Sequence, residues 1–224
     1  MDLFTLKSLL FLPFFIGCCV VEGILYAAVG RNVTLKTSHD NLDDFIIDWT
    51  FFEDIEGNDM VLILVQMSEG QLKVFQSYED RLLVNRTNGD LTLRSLELRD
   101  SGEYNFFIET ADGTRFRNYT KLQVLEPISC TKITGPTVTL IAGSSTATLS
   151  CQAAAGTMMT RTWLKDGKPL SASSHLVFSD DMSSMTINPL QKEDDGEYTC
   201  QLNNIISIDE ASYKMVVNCE CLFC

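Results

Sequence analysis

Apolar and polar residues alternate along short stretches of this chain, and turn-forming residues separate the stretches. Val33 and Leu35 stand two apart, as do Ile47, Trp49 and Phe51, then Tyr104, Phe106 and Ile108, then Leu122 and Val124. A period of two is the signature of strands with one buried face. Met60 to Met67 is an apolar run of strand length broken only by Gln66, Leu91-Thr92-Leu93 alternates, and Asp112-Gly113 is a hairpin-turn signal. Further along, Thr148-Leu149-Ser150-Cys151 reads as another strand and Trp163 marks the next. The pattern predicts an all-β protein.

One motif occurs twice with a different last residue. Asp100-Ser101-Gly102-Glu103-Tyr104-Asn105-Phe106 is matched by Asp194-Asp195-Gly196-Glu197-Tyr198-Thr199-Cys200. An acidic residue, glycine, tyrosine and cysteine leading into a strand resemble the tyrosine corner of an immunoglobulin sandwich. Two tandem sandwiches are therefore expected, over residues 24–125 and 126–219, after a leader at 1–23 and before a Cys-rich tail at 220–224. Leu35 and Phe106 occupy the first sandwich's two cysteine sites, about 70 residues apart, which leaves room for the extra C′ and C″ strands of a variable-type domain. Cys151 and Cys200, about 50 residues apart with Trp163 between them, form the disulfide pin of a constant-type domain, with no room for C′ and C″.

In the first sandwich Leu35 and Phe106 are expected to pack on Trp49 in place of a disulfide, and Arg81 to pair with Asp100 as a structural bridge. Alternation turns Asp48, Thr50 and Phe52 outward on strand C, and Asn105, Phe107 and Glu109 outward on strand F. An aromatic at the centre of a flat sheet, ringed by polar residues, is the anatomy of a protein-binding surface, so Phe52, Asn105 and Phe107 are the candidate contact residues. Glycosylation sequons begin at Asn32, Asn85 and Asn118. Asn118 shares parity with the inward Leu122, which predicts poor access. Glu126-Pro127-Ile128-Ser129 reads as a short, semi-rigid linker.

The leader sets the redox compartment: Ser8 to Val21 is nearly all apolar after Lys7, with small residues near Gly23, as in a secretory signal. Secretion favours paired cysteines. Cys130 is expected to bridge to Cys219 or Cys221, while Cys219-x-Cys221-x-x-Cys224 makes a poor zinc site because a fourth ligand is missing. The end of the sequence suggests either a secreted molecule or a stop just before a membrane anchor. The net charge of −13 argues against nucleic acid. His39 and His175 sit in separate domains with no nucleophile-base-orienter set, so no enzyme, cofactor, metal or small-molecule substrate is expected.

Thr162-Trp163-Leu164-Lys165-Asp166-Gly167-Lys168-Pro169-Leu170 resembles strand C and its turn in the hepatic and glial cell adhesion family. Asn203-Asn204-Ile205-Ile206-Ser207 is similar to a turn of that family and of the carcinoembryonic-antigen family. The layout of the two domains, with extra cysteines flanking the second, also resembles the lymphocyte-activation-molecule family. The resemblance implies a cell-surface glycoprotein that adheres or recognises through the outer sheet of its first domain. The partner would be the same or a related immunoglobulin-superfamily molecule, bound as a weak homodimer in the first case. A secreted ligand or decoy for an immune receptor is the alternative.

Overall fold

The computed structural model describes residues 18–21, 23–40, 45–55, 58–68, 71–75 and 78–219. The first sandwich contains β1 (Cys18–Val21), β2 (Ile24–Ala28), β3 (Val33–Leu35), β4 (Phe45–Ile55), β5 (Asn58–Ser68), β6 (Gln71–Val74), β7 (Leu82–Val84), β8 (Leu91–Leu93), β9 (Gly102–Thr110) and β10 (Arg115–Leu125). One sheet runs β1-β2-β10-β9-β4-β5-β6 and the other β3-β8-β7. Strands β5 and β6 are the C′ and C″ strands that the spacing anticipated. Strand β1, from the last residues of the predicted leader, pairs antiparallel with β2.

The inward residues of the alternating strands meet between these sheets. Leu35, Ile47, Trp49, Leu91, Tyr104 and Ile108 are completely buried, and Phe51, Leu93 and Phe106 nearly so. Phe106 lies against Trp49 with ring centroids 5.2 Å apart, and the indole N–H donates to the Gly89 carbonyl at 2.9 Å. The core closes around apolar side chains where a disulfide would otherwise stand. Arg81 donates through both terminal nitrogens to Asp100, at 2.6 and 2.8 Å, and the Asp100 side chain is fully buried. A fork-to-carboxylate pair of this kind satisfies a charge that burial would otherwise penalise.

The second sandwich contains β11 (Lys132–Thr134), β12 (Leu140–Ile141), β13 (Ala147–Gln152), β14 (Thr160–Lys165), β15 (Lys168–Pro169), β16 (Leu176–Phe178), β17 (Ser184–Ile187), β18 (Gly196–Asn204), β19 (Ser207–Met215) and β20 (Val217–Asn218). Its main sheets run β11-β13-β17-β16 and β15-β14-β18-β19. Cys151 and Cys200 are bonded, both fully buried, beside Trp163. The spacing argument needs one correction. A two-residue C′ strand, β15, is present because Asp166 and Gly167 adopt positive φ, 50° and 75°, and fold Lys168 back onto Lys165. An Asp-Gly pair is suited to that tight hairpin.

The repeated motif builds the same corner twice. Tyr104 donates its hydroxyl to the Asp100 carbonyl at 2.7 Å, and Tyr198 to the Asp194 carbonyl at 2.9 Å. Each aspartate side chain caps its own short turn by accepting from Glu97 N–H or Gln191 N–H. The motif glycine is needed because a Cβ at Gly102 would collide with the Phe51 ring and the Phe52 carbonyl. Between the sandwiches, Ala28, Leu125 and Ile206 form a small buried cluster with Tyr26 packed on it.

The predicted Cys130 bridge is not formed. Cys130 is exposed and free, while Cys219 is disulfide-bonded to a residue other than Cys130, Cys151 or Cys200. Topology gives the reason. Ser129 and Lys132 lie beside Ala155 and Gln152, at the end of β13, whereas Asn218 pairs with Ile141 near its beginning. The two cysteines are at opposite ends of one sandwich, separated by roughly the 20 Å length of a six-residue strand. Cys221 and Cys224 lie outside the described residues.

Candidate functional site

The outer face of the large first sheet is built from cross-strand rows. Ile46, Glu109 and Arg115 are in register, then Asp48, Phe107 and Arg117, then Thr50, Asn105 and Tyr119, then Phe52, Glu103 and Lys121. The three candidate residues therefore share this face, but they do not form one cluster. Asn105 lies between, and Phe52 is two rows from Phe107, about 13 Å along the strands. All three are half-buried.

Phe107 is partly covered by a neighbour on β10. The Arg117 guanidinium stands over its ring, 5.0 Å from the centroid. This cation–π contact holds the arginine flat on the sheet and leaves its donors at the surface. Asn105 donates to Glu103 at 3.0 Å, and Arg115 pairs with Glu109 at 3.0 Å. Tyr119 is the missed aromatic: it is 57% exposed beside Asn105. Its signal was present in the sequence. If Leu122 and Val124 point inward on β10, then Arg115, Arg117, Tyr119 and Lys121 must point outward.

The face is striped by charge. Strand β10 contributes Arg115, Arg117 and Lys121, a basic column on an otherwise acidic chain of net charge −13. Beside it, β9 and β4 contribute Glu103, Glu109 and Asp48. Apolar and aromatic groups alternate with the charges on the same strands: Ile46 at 41% exposure and Phe52 on β4, Phe107 on β9 and Tyr119 on β10.

The three sequon asparagines lie off this face. Asn32 and Asn85 are exposed next to the small sheet, on either side of β3 and β7. Asn32 accepts from Ser95 N–H, and Asn85 from Thr87 N–H and hydroxyl. Asn118 is also exposed, contrary to the parity argument. Pairing of β2 with β10 starts only at Lys121, so the edge of β10 is uncovered around Asn118.

The second sandwich contains one arrangement of catalytic residue types. Ser173 Oγ is 3.2 Å from His175 Nδ1, and His175 Nε2 is 3.4 Å from Asp194. They border a cavity of about 260 Å³. Ser173 Oγ also accepts from the His175 and Leu176 N–H groups, so its hydroxyl serves the turn. His175 stands 19 residues before Asp194, as Arg81 stands 19 before Asp100. It is the counterpart of the structural arginine.

Comparison with known proteins agrees with this architecture. The family model "Immunoglobulin domain" matches residues 130–204. The human hepatic and glial cell adhesion molecule is 32% identical over 187 residues, covering 82% of this chain and 44% of its own length. The mouse HEPACAM family member 2 is 28% identical over 141 residues, covering 62% of this chain and 30% of its own length. The chain thus spans less than half the length of these relatives. Among solved structures, murine CEACAM1b superposes with a TM-score of 0.69 at 20% identity, over 86% of this chain and 96% of that one. The CD2-binding domain of CD58 gives 0.56 at 20%, over 87% and 96%. Two sandwiches, their tyrosine corners and this homology make the chain an immunoglobulin-domain protein homologous to the hepatic and glial cell adhesion molecule.

Proposed function

We propose that this chain mediates cell-cell adhesion or immune recognition through the β10-β9-β4 face of its first sandwich, and that its partner is the same or a related immunoglobulin-superfamily molecule. The observation that carries the reading is the striped face, free of sequons, with aromatics set among the basic residues of β10 and the acidic residues of β9 and β4. Its central row, Arg117, Phe107 and Asp48, is complementary to itself. A two-fold axis along the strands would set β10 of one copy over β4 of the other, with Arg117 toward the opposite Asp48 and Phe107 near Phe107. A two-fold contact of this kind is isologous and closes as a dimer. Buried aromatics would supply the affinity, while the charges fix register and speed encounter. An axis along the strands leaves both copies pointing the same way, as neighbours on one membrane do, and weak single contacts summed over many copies would strengthen engagement of a facing cell.

The test is sedimentation of the glycosylated chain over a wide concentration range, with Phe107→Arg beside the native protein. Concentration-dependent dimers that the substitution removes, with unchanged thermal unfolding, are expected. A strict monomer at high concentration would exclude self-recognition and leave a related but unlike partner. Dimers unaffected by Phe107→Arg would move the contact to another surface.

A further inference from the structure

The connection between the sandwiches contains no unconstrained residue. Leu125 still belongs to the first: it pairs with Ala28, and its carbonyl accepts from Val29 N–H at 2.9 Å. Glu126, the next residue, already belongs to the second. Its N–H donates to Thr157 Oγ1 at 2.9 Å, and its carbonyl accepts from Thr157 N–H and from the Asn204 side-chain amide. Pro127 then fixes its own φ, and Ile128 N–H donates to Ser207 Oγ at 2.8 Å.

Asn204 is the hub of this network. It is buried at the end of β18, and both ends of its amide are used. The NH₂ donates to the Glu126 carbonyl at 3.1 Å and to the Thr157 carbonyl at 3.0 Å. The oxygen accepts from Ile206 N–H at 3.1 Å and from the Ser207 hydroxyl at 2.8 Å. The second pair shapes the turn so that Ile206 lies against Ala28 and Leu125 of the first sandwich. One side chain thus ties linker, turn and interdomain contact together.

We propose that Asn204 is a positioning residue that locks the two sandwiches into one rigid rod, so that the outer face of the first is held at a set angle to whatever anchors the second. A hinge would make each adhesive contact order two bodies, and loss of that freedom opposes binding. The adhesive consequence rests on the face proposed above; the rigidity does not.

The experiment measures the distance between spin labels attached through ketone-bearing residues at the exposed positions 83 and 177 of the full chain, one in each sandwich. Asn204→Ala and Asn204→Asp are compared with the native residue. Asp keeps the acceptor that shapes the turn but loses both donors and places a carboxylate against two carbonyls. A single narrow distance in the native chain is expected, broadened in both variants, while Trp49 in the first sandwich unfolds as before. A native-like narrow distribution in Asn204→Asp would overturn the proposal and assign the residue to the turn alone. A broad distribution in the native chain would refute rigidity itself. Since neither readout uses binding, failure of the rod and failure of the adhesive face are separately visible.

Discussion

The two sandwiches hold their sheets together by different means, and removing the disulfide should separate them. The perturbation is Cys151→Ala with Cys200→Ala. The bond closes a separation of 49 residues, for which the chain-entropy argument gives about 4 kcal/mol. Both sulfurs are fully buried beside Trp163, so the space left behind adds to that figure. For a domain of this size the loss corresponds to a fall in melting temperature on the order of 20 °C. The first sandwich has no bond to lose at Leu35 and Phe106. Its link to the second is the small cluster of Ala28, Leu125 and Ile206, so its transition should move by only a few degrees.

The chain provides its own reporters, because it has 2 tryptophans and each sandwich buries one, Trp49 in the first and Trp163 in the second. Fluorescence-detected melting in a Trp49→Phe background follows the second sandwich, and in a Trp163→Phe background the first. Equal shifts of both signals on removing the bond would refute independent cores. A second-sandwich shift of a few degrees or less would show that packing around Trp163 holds that sandwich without its pin.

The ion pair at the first corner gives two linked expectations. Arg81→Met leaves the fully buried Asp100 carboxylate without its guanidinium, which should cost about 3–5 kcal/mol and lower the Trp49 transition; a loss under about 1 kcal/mol would mean that the Glu97 and corner contacts suffice for the acid. In the second sandwich His175→Arg should extend into the adjacent cavity of about 260 Å³, reach Asp194 and raise the Trp163 transition by about 1 kcal/mol; an unchanged transition would mean that Asp194, whose side chain is 12% exposed, is already satisfied.

The fold was legible because its markers are local. The period of two placed the strands, and the repeated corner placed β9 and β18 with their acidic caps. The filling of the disulfide site by Leu35 and Phe106 followed from the same register, and the Arg81–Asp100 pair from the places where variable-type domains carry such a bridge. The failures share a different cause, namely dependence on what lies beside a strand. Asn118 has inward parity yet is exposed, because β2 stops short of it. Cys130 was given a partner because secretion favours paired cysteines, whereas the sandwich puts Cys219 at its other end. Strand β15 exists through a turn, which a residue count between cysteines does not see. In the candidate face, attention to exposed aromatics found Phe107 but not Arg117 lying over it. Recognising that pair requires the register of β10 against β9, and only pairing fixes it.

The same register explains why the missing disulfide and the proposed face belong together. Phe106 and Phe107 are adjacent on β9, one inward against Trp49 and one outward beneath Arg117. Burying Phe106 with Leu35 gives about 1.5–3 kcal/mol for each side chain, comparable with the bond that is absent. The central strand is thereby fixed from within by a large ring, directly behind the row formed by Asp48, Phe107 and Arg117. A substitution at Phe106 would consequently be read at Phe107 through backbone displacement, although the two side chains never meet. Mapping of the face by substitution therefore has to use outward positions alone. Loss of binding from an inward change on β9 reports the core, and only an outward change that leaves the Trp49 transition in place reports the contact.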